Sequence, residues 1–206
     1  MNPNETEPVE ILVATKNRGK LRELHSLLGG LPVELKSLED FGDIAEVEET
    51  GLTFAENAAI KAIGYAAMTG LPAIADDSGL EVEALGGRPG VLSARYGGSA
   101  SYHEKIALLL DEMARSGLET RNARFVCSMA LALPSGEVSF TAEGICSGVI
   151  AESPSGEGGF GYDPVFIPEG HGQTFAELPE SVKQEISHRA RAAKIIMRYL
   201  PDFIGI

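Results

Sequence analysis

At 206 residues, with 44% apolar and 23% charged side chains, the chain can bury a full hydrophobic core and is not disordered; one compact domain over residues 1–206 is expected. Its 17 Lys and Arg against 30 Asp and Glu give a net charge of -13, which disfavours a nucleic acid duplex as partner but allows a small phosphate ligand held by a few local cations, a helix N-terminus and a metal. No apolar stretch reaches the ~18 residues of a membrane span, and residues 1–8 are polar and acidic rather than a signal peptide, so a cytoplasmic protein with a short flexible N-terminal tail is expected, with no membrane partner.

Residues 9–14 are an apolar run, interrupted by Glu10, ending in Thr15-Lys16-Asn17-Arg18-Gly19-Lys20, after which Leu21, Leu24, Leu27 and Leu28 recur at helical spacing. This pattern predicts strand, polar loop and helix, stopped at Gly29-Gly30. Residues 33–38 predict a second strand before the acidic stretch Glu46-Val47-Glu48-Glu49-Thr50-Gly51. Thr53-Phe54-Ala55-Glu56 has the spacing of a capping box and predicts a helix to about Met68. Residues 72–76 predict a short strand that breaks at Asp77-Ser78-Gly79-Leu80, followed by a glycine-rich stretch over 86–90.

Ser101-Tyr102-His103-Glu104 is a second capping-box spacing, opening a helix through Ile106, Leu109, Leu110 and Met113. Residues 124–133 and 137–149 predict two strands joined as a hairpin by Pro134-Ser135-Gly136. Residues 156–164 are too rich in glycine for a strand, 165–167 suit a short one, and 187–200 carry the spacing of a terminal helix. Cys127 and Cys146 lie too far apart for a CxxC pair and each sits in an apolar run, which predicts buried free thiols. The mixture is α/β or α+β with a mixed sheet.

Thr15, Asn17 and Lys20 sit where a strand enters a helix, so helix dipole, amides and an ammonium can converge on phosphate oxygens, although the P-loop pattern is absent and such turns are often structural. Adjacent strand side chains point to opposite faces, so one of Asp76 and Asp77 is expected to face a ligand; Asp77 is the choice, with an Asx-turn as the plainer alternative. Magnesium on a triphosphate takes one or two protein carboxylates, and Glu48 or Glu49 can supply the second unless both are a solvated face. Glu56, Asn57 and Lys61 share the first turns of a helix, where capping and surface pairing explain them, and Arg95 follows the glycine-rich loop as either a surface residue or a ligand contact.

Phe160-Gly161-Tyr162-Asp163 offers an aromatic face for a base, glycines that permit close approach, and a carboxylate. Ser187-His188-Arg189, with Lys183 upstream, can donate to carbonyl or phosphate oxygens, though a His beside an Arg is usually structural.

In series, Thr15 to Lys20, Glu48-Glu49-Thr50-Gly51, Phe54-Ala55-Glu56-Asn57-Ala58, Asp76-Asp77-Ser78-Gly79-Leu80, Ser93-Ala94-Arg95-Tyr96, Gly159 to Pro164 and Ser187-His188-Arg189 resemble the inosine triphosphate pyrophosphatase family, and the match covers nearly the whole chain in order. The resemblance implies magnesium-dependent hydrolysis of ITP, dITP or XTP to the monophosphate and pyrophosphate, an elongated mixed sheet with a cleft between two lobes, and a homodimer. It further implies that Thr15 to Lys20 hold phosphates, Glu48 and Asp77 bind magnesium, Asp77 acts as general base, and Ser78, Phe160, Gly161, Tyr162, Asp163, Lys183, His188 and Arg189 bind the purine nucleotide. Rival readings are a Maf-type pyrimidine nucleotide pyrophosphatase, against which the Phe160 loop and Ser187-His188-Arg189 argue, and a regulator that binds a purine nucleotide without cleaving it.

Overall fold

In the computed structural model, which describes residues 8–29 and 33–205, six strands form one mixed sheet flanked by five α-helices among the described residues. Chain order is β1 (Val9–Val13), α1 (Arg18–Leu28), β2 (Val33–Ser37), α2 (Phe54–Thr69), β3 (Ala73–Val82), α3 (Tyr102–Ser116), β4 (Asn122–Ala132), β5 (Val138–Ile150), β6 (Phe166–Pro168), α4 (Glu180–Ile186) and α5 (His188–Ile204). Across the sheet the order is β2-β1-β3-β4-β5-β6. The β2-β1-β3 side is parallel because α1 and α2 serve as crossovers, and the remainder is antiparallel, with a tight turn between β4 and β5.

Local chemistry sets the helix ends as the spacing predicts. Thr53 accepts from the Glu56 amide while the Glu56 carboxylate accepts from the Thr53 amide, and Ser101 and Glu104 repeat the exchange at α3. Both helices stop at a left-handed glycine, Gly70 and Gly117.

Strand alternation then directs two sets of side chains to opposite faces. Ile11, Ile74 and Leu131 meet Leu24 and Leu28 of α1 and Ala193, Ile196 and Leu200 of α5. Leu12, Ala73, Ala75 and Ala130 meet Ala58, Ala62, Tyr65 and Ala66 of α2. A third cluster joins Leu80, Val82, Phe125, Cys146 and Ile150 with Ile106 and Leu109 of α3 and with Phe166. β3, β4 and β5, at 10, 11 and 13 residues, run through both packing regions and so carry two lobes on one sheet.

Two elements differ from expectation. β3 does not break at Asp77: it stays paired with β4 to Val82, with Asp77 opposite Ser128 and Gly79 opposite Val126. The ladder supplied by β4, whose Ser128 lies 51 residues beyond Asp77, overrides the local Asp-Ser-Gly turn signal. α4 was not predicted, and it carries Lys183. The thiols of Cys127 and Cys146 are free and buried, as expected. The expected N-terminal tail, apart from Pro8, and the helix stop at Gly30 lie outside the described residues.

Candidate active site

Between the lobes lies a cavity of about 530 Å³. Its wall takes Thr15, Lys16, Asn17 and Lys20 from the β1–α1 junction, Glu48 and Glu49 from the segment before α2, and Lys61 from α2. β3 adds Asp77 and Ser78, the opposite lobe adds Arg95 and Phe160-Gly161-Tyr162-Asp163, and α4 and α5 add Lys183, His188 and Arg189. Residues distant in sequence are thus collected as expected, except that Arg18, Gly19, Glu56 and Asn57 do not line the cavity. Lys16, Lys20, Lys61, Arg95, Lys183 and Arg189 face Glu46, Glu48, Glu49, Asp77 and Asp163 there, so the cavity is near charge balance in a chain of net charge -13.

At the α1 end, Asn17 caps the helix, its Oδ1 accepting from the amides of Gly19 at 2.9 Å and Lys20 at 3.1 Å. Those amides are therefore spent within the chain, and the phosphate-attracting features that remain are the positive helix end and the two lysines. Arg18 is exposed and points no contact into the cavity. Gly19 serves differently from the expected phosphate contact: a Cβ there would lie 2.9 Å from the Phe160 ring, so its bare Cα is the seat of that ring.

Asp76 and Asp77 do face opposite ways. Asp77 Oδ2 accepts from Asn57 Nδ2 at 3.1 Å, its Oδ1 accepts from the Ser78 amide at 3.0 Å, and Lys61 Nζ stands 3.5 Å from Oδ1. Burial raises the Asp77 pKa above the ordinary carboxylate value, opposed by Lys61 and Lys20. Glu49 pairs with Lys61 at 2.6 Å and with Arg95 at 3.7 Å. The Glu56 carboxylate is committed to the amides of Leu52 at 2.7 Å and Thr53 at 3.1 Å, which is the capping role and not a ligand contact.

Exposed Glu48 also faces the cavity. No group of three His, Cys, Asp or Glu side chains close enough to cage a metal exists among the described residues. The pair Glu48 and Asp77 offers only carboxylate oxygens, which fits a hard cation that draws its other ligands from phosphate and water.

Asp76, passed over for Asp77 in the sequence, and Glu23, not singled out there, do not line the cavity but pair with the cations that do. Fully buried Asp76 contacts Lys20 Nζ at 3.1 Å and Arg189 Nη2 at 3.1 Å, while Arg189 Nη1 donates to Glu23. Glu23 also meets Lys183 at 2.8 Å, and Lys183 meets Asp163 at 2.5 Å. Alternating charges thus run from α1 to the Phe160 loop. Burial alone would raise the Asp76 pKa, but Lys20 and Arg189 outweigh it and hold the carboxyl well below its ordinary range. The sequence signal for Glu23 was its position three residues after Lys20, on the same helix face.

At the other end, the Phe160 ring lies 4.6 Å from Lys183 Nζ and 5.7 Å from the Arg189 guanidinium carbon. Two members of its loop line the cavity with their polar atoms committed within the chain. Asp163 accepts from the Phe160 amide at 2.7 Å and from Lys183, and the Tyr162 hydroxyl donates to the Ser93 carbonyl at 3.1 Å. His188 stacks on Phe125 with centroids 4.7 Å apart, and its Nδ1 is buried without a partner. Burial, reinforced by Arg189 and Lys183, pushes the His188 pKa well below 6.5, so the ring is neutral at pH 7. Arg189 by contrast gives four of its five N–H groups to Asp76, Glu23 and Ser78.

A family model described as the Ham1 family matches residues 11–199. The dITP/XTP pyrophosphatase of Geobacter sulfurreducens is 52% identical over 92% of this chain and 96% of its own, and that of Thermus thermophilus is 48% identical over 94% and 93%. Among solved structures, a HAM1 protein from Coxiella burnetii aligns with TM-score 0.87 and 40% identity over 94% of this chain and 99% of its own. A nucleoside-triphosphatase / dITP/XTP pyrophosphatase from Mycobacterium abscessus aligns with TM-score 0.73 and 45% identity over 93% and 100%.

Proposed function

The chain belongs to the Ham1 family, and on that premise we propose that it is a nucleoside triphosphate pyrophosphatase that converts ITP, dITP and XTP to the monophosphate and pyrophosphate, clearing deaminated purines from the nucleotide pool. One observation carries the reading. A cleft holding six Lys and Arg side chains also holds a buried carboxylate, Asp77, near a helix N-terminus, and a neutral imidazole, His188, whose Nδ1 has no protein hydrogen bond.

The phosphates lie toward the positive end of α1, with Lys16 and Lys20 as counter-charges; Asp76 keeps the Lys20 ammonium oriented. Glu48 and Asp77 would hold magnesium, which when bound neutralises phosphate charge and polarises the reacting oxygens. Asp77 accepts the proton of the water that attacks the α-phosphorus; the new O–P bond forms as the α–β anhydride bond breaks and pyrophosphate departs. Phe160 offers the purine a face, and His188 donates to the 6-oxo group, which adenine replaces with an amino donor. Arg189, having one N–H left, supports the site mainly by fixing Asp76 and Ser78.

No described helix is long and apolar enough to cross a membrane. Cytoplasmic location and a homodimer complete the proposal, supported by the family resemblance; light scattering of the purified chain tests the dimer. Turnover in water labelled with oxygen-18 tests the bond cleaved. Label in IMP and none in pyrophosphate is the expected result, and label in pyrophosphate or in free phosphate overturns attack at the α-phosphorus.

A further inference from the structure

Asn57 exposes none of its surface, yet both ends of its amide are used. Its Oδ1 accepts from the Gly51 amide at 2.7 Å and its Nδ2 donates to Asp77 Oδ2 at 3.1 Å. Chemistry fixes this orientation, because an N–H only donates and a carboxylate only accepts. One side chain on α2 therefore ties down two separate segments: the stretch that carries Glu48 and Glu49, and β3 at Asp77.

One turn further along the same face, Lys61 pairs with Glu49 at 2.6 Å and approaches Asp77 Oδ1 at 3.5 Å. Glu56 holds the amides of Leu52 and Thr53, so the chain around Gly51 has little freedom to slide. The fit at Gly51 is also tight, since a Cβ there would lie 2.7 Å from Asn57 Oδ1 and 2.7 Å from Glu56 Cβ.

We propose that Asn57 is a positioning residue that sets the separation between Glu48 and Asp77 and thereby controls the affinity for the divalent cation these carboxylates share. The inference rests on the reading of Glu48 and Asp77 given above. It assigns the 51-57-77 hydrogen-bond bridge a function that neither hydrogen bond would have as a helix cap.

The test uses Mn2+ alone as probe, its free concentration followed by electron paramagnetic resonance, on the full chain without nucleotide. Asn57→Ala removes both hydrogen bonds, and Gly51→Ala, whose Cβ would press on Asn57 Oδ1 and Glu56 Cβ, pushes the acidic segment away without removing either side chain of the bridge. Both should weaken Mn2+ binding by roughly 10- to 100-fold, the usual effect of losing a group that orients a metal ligand. Turnover of ITP by both should recover when the cation is raised to saturation, a rescue that a merely structural defect would not give. Glu48→Gln and Asp77→Asn serve as controls. If the controls weaken binding and either folded variant binds Mn2+ as the wild type does, the Asn57 inference is overturned while the cation reading stands. If the controls themselves bind as the wild type does, the cation reading fails and the inference falls with it.

Discussion

The ring of Phe160 rests against the bare Cα of Gly19, so close that a Cβ would come within 2.9 Å of it. Lys183 and Arg189 also lie 4.6 Å and 5.7 Å from the ring, and a contact between the first turn of α1 and the loop of the opposite lobe therefore spans the cleft. Gly19→Ala should leave thermal stability unchanged or slightly raised, since alanine is favoured over glycine in a helix by about 1 kcal/mol. Displacing the ring should raise KM for ITP about tenfold, the lower part of the ~1–3 kcal/mol that stacking on an aromatic contributes per base. In a Phe160→Ala background the same change should be silent, and additive effects would break the proposed link.

Asp77→Asn keeps the Asn57 contact and the strand but removes the proton acceptor. Steady-state kinetics should give a kcat lower by about 10²- to 10⁴-fold with the circular dichroism spectrum retained. Near-normal kcat would remove Asp77 from the mechanism.

His188 makes a prediction about pH. Its pKa is depressed in the fold, whereas the unfolded chain titrates near 6.5, so the unfolded state takes up the proton first. The stability that His188 contributes is fully present above pH ~6.5 and is lost as pH falls below that value. The depressed pKa of Asp76 adds a separate loss at lower pH, beginning near the ordinary carboxylate range. Urea denaturation between pH 7.5 and 5 should show the first decline in the wild type and not in His188→Ala. The same variant should lose a factor of about ten or more in the preference for ITP over ATP, reflecting ~1–3 kcal/mol for an unmet hydrogen bond. An unchanged preference would send the search for the base reader elsewhere.

Asp76→Asn leaves Lys20 and Arg189 without their buried counter-charge. Breaking one side of a buried pair costs about 3–5 kcal/mol, so the midpoint of denaturation should fall markedly. A shift below about 1 kcal/mol would mean that the network is not a structural keystone.

Local signals were legible and distant ones were not. Thr53 with Glu56 and Ser101 with Glu104 could be read as helix starts because each exchange lies within one turn. The hairpin of β4 and β5 was equally readable from its turn and flanking apolar runs. The continuation of β3 past Asp77 depends on β4, and the grip of Asp76 on Arg189 joins residues 113 apart, so neither leaves a mark in local spacing. For the same reason Asp163 and Tyr162 read as ligand contacts in sequence, whereas Lys183 and Ser93 claim their polar atoms in the fold. The motif series nonetheless located the cleft, since all but Arg18, Gly19, Glu56 and Asn57 of the chosen residues line it.

The most direct measurement is pyrophosphate release from ITP, XTP, dITP, GTP, ATP, dTTP and UTP, with magnesium and with chelator, identifying the nucleotide product. The account predicts magnesium-dependent conversion of ITP, dITP and XTP to monophosphates with little turnover of GTP or ATP. Preferential turnover of dTTP or UTP, or binding of ITP without turnover, would contradict it.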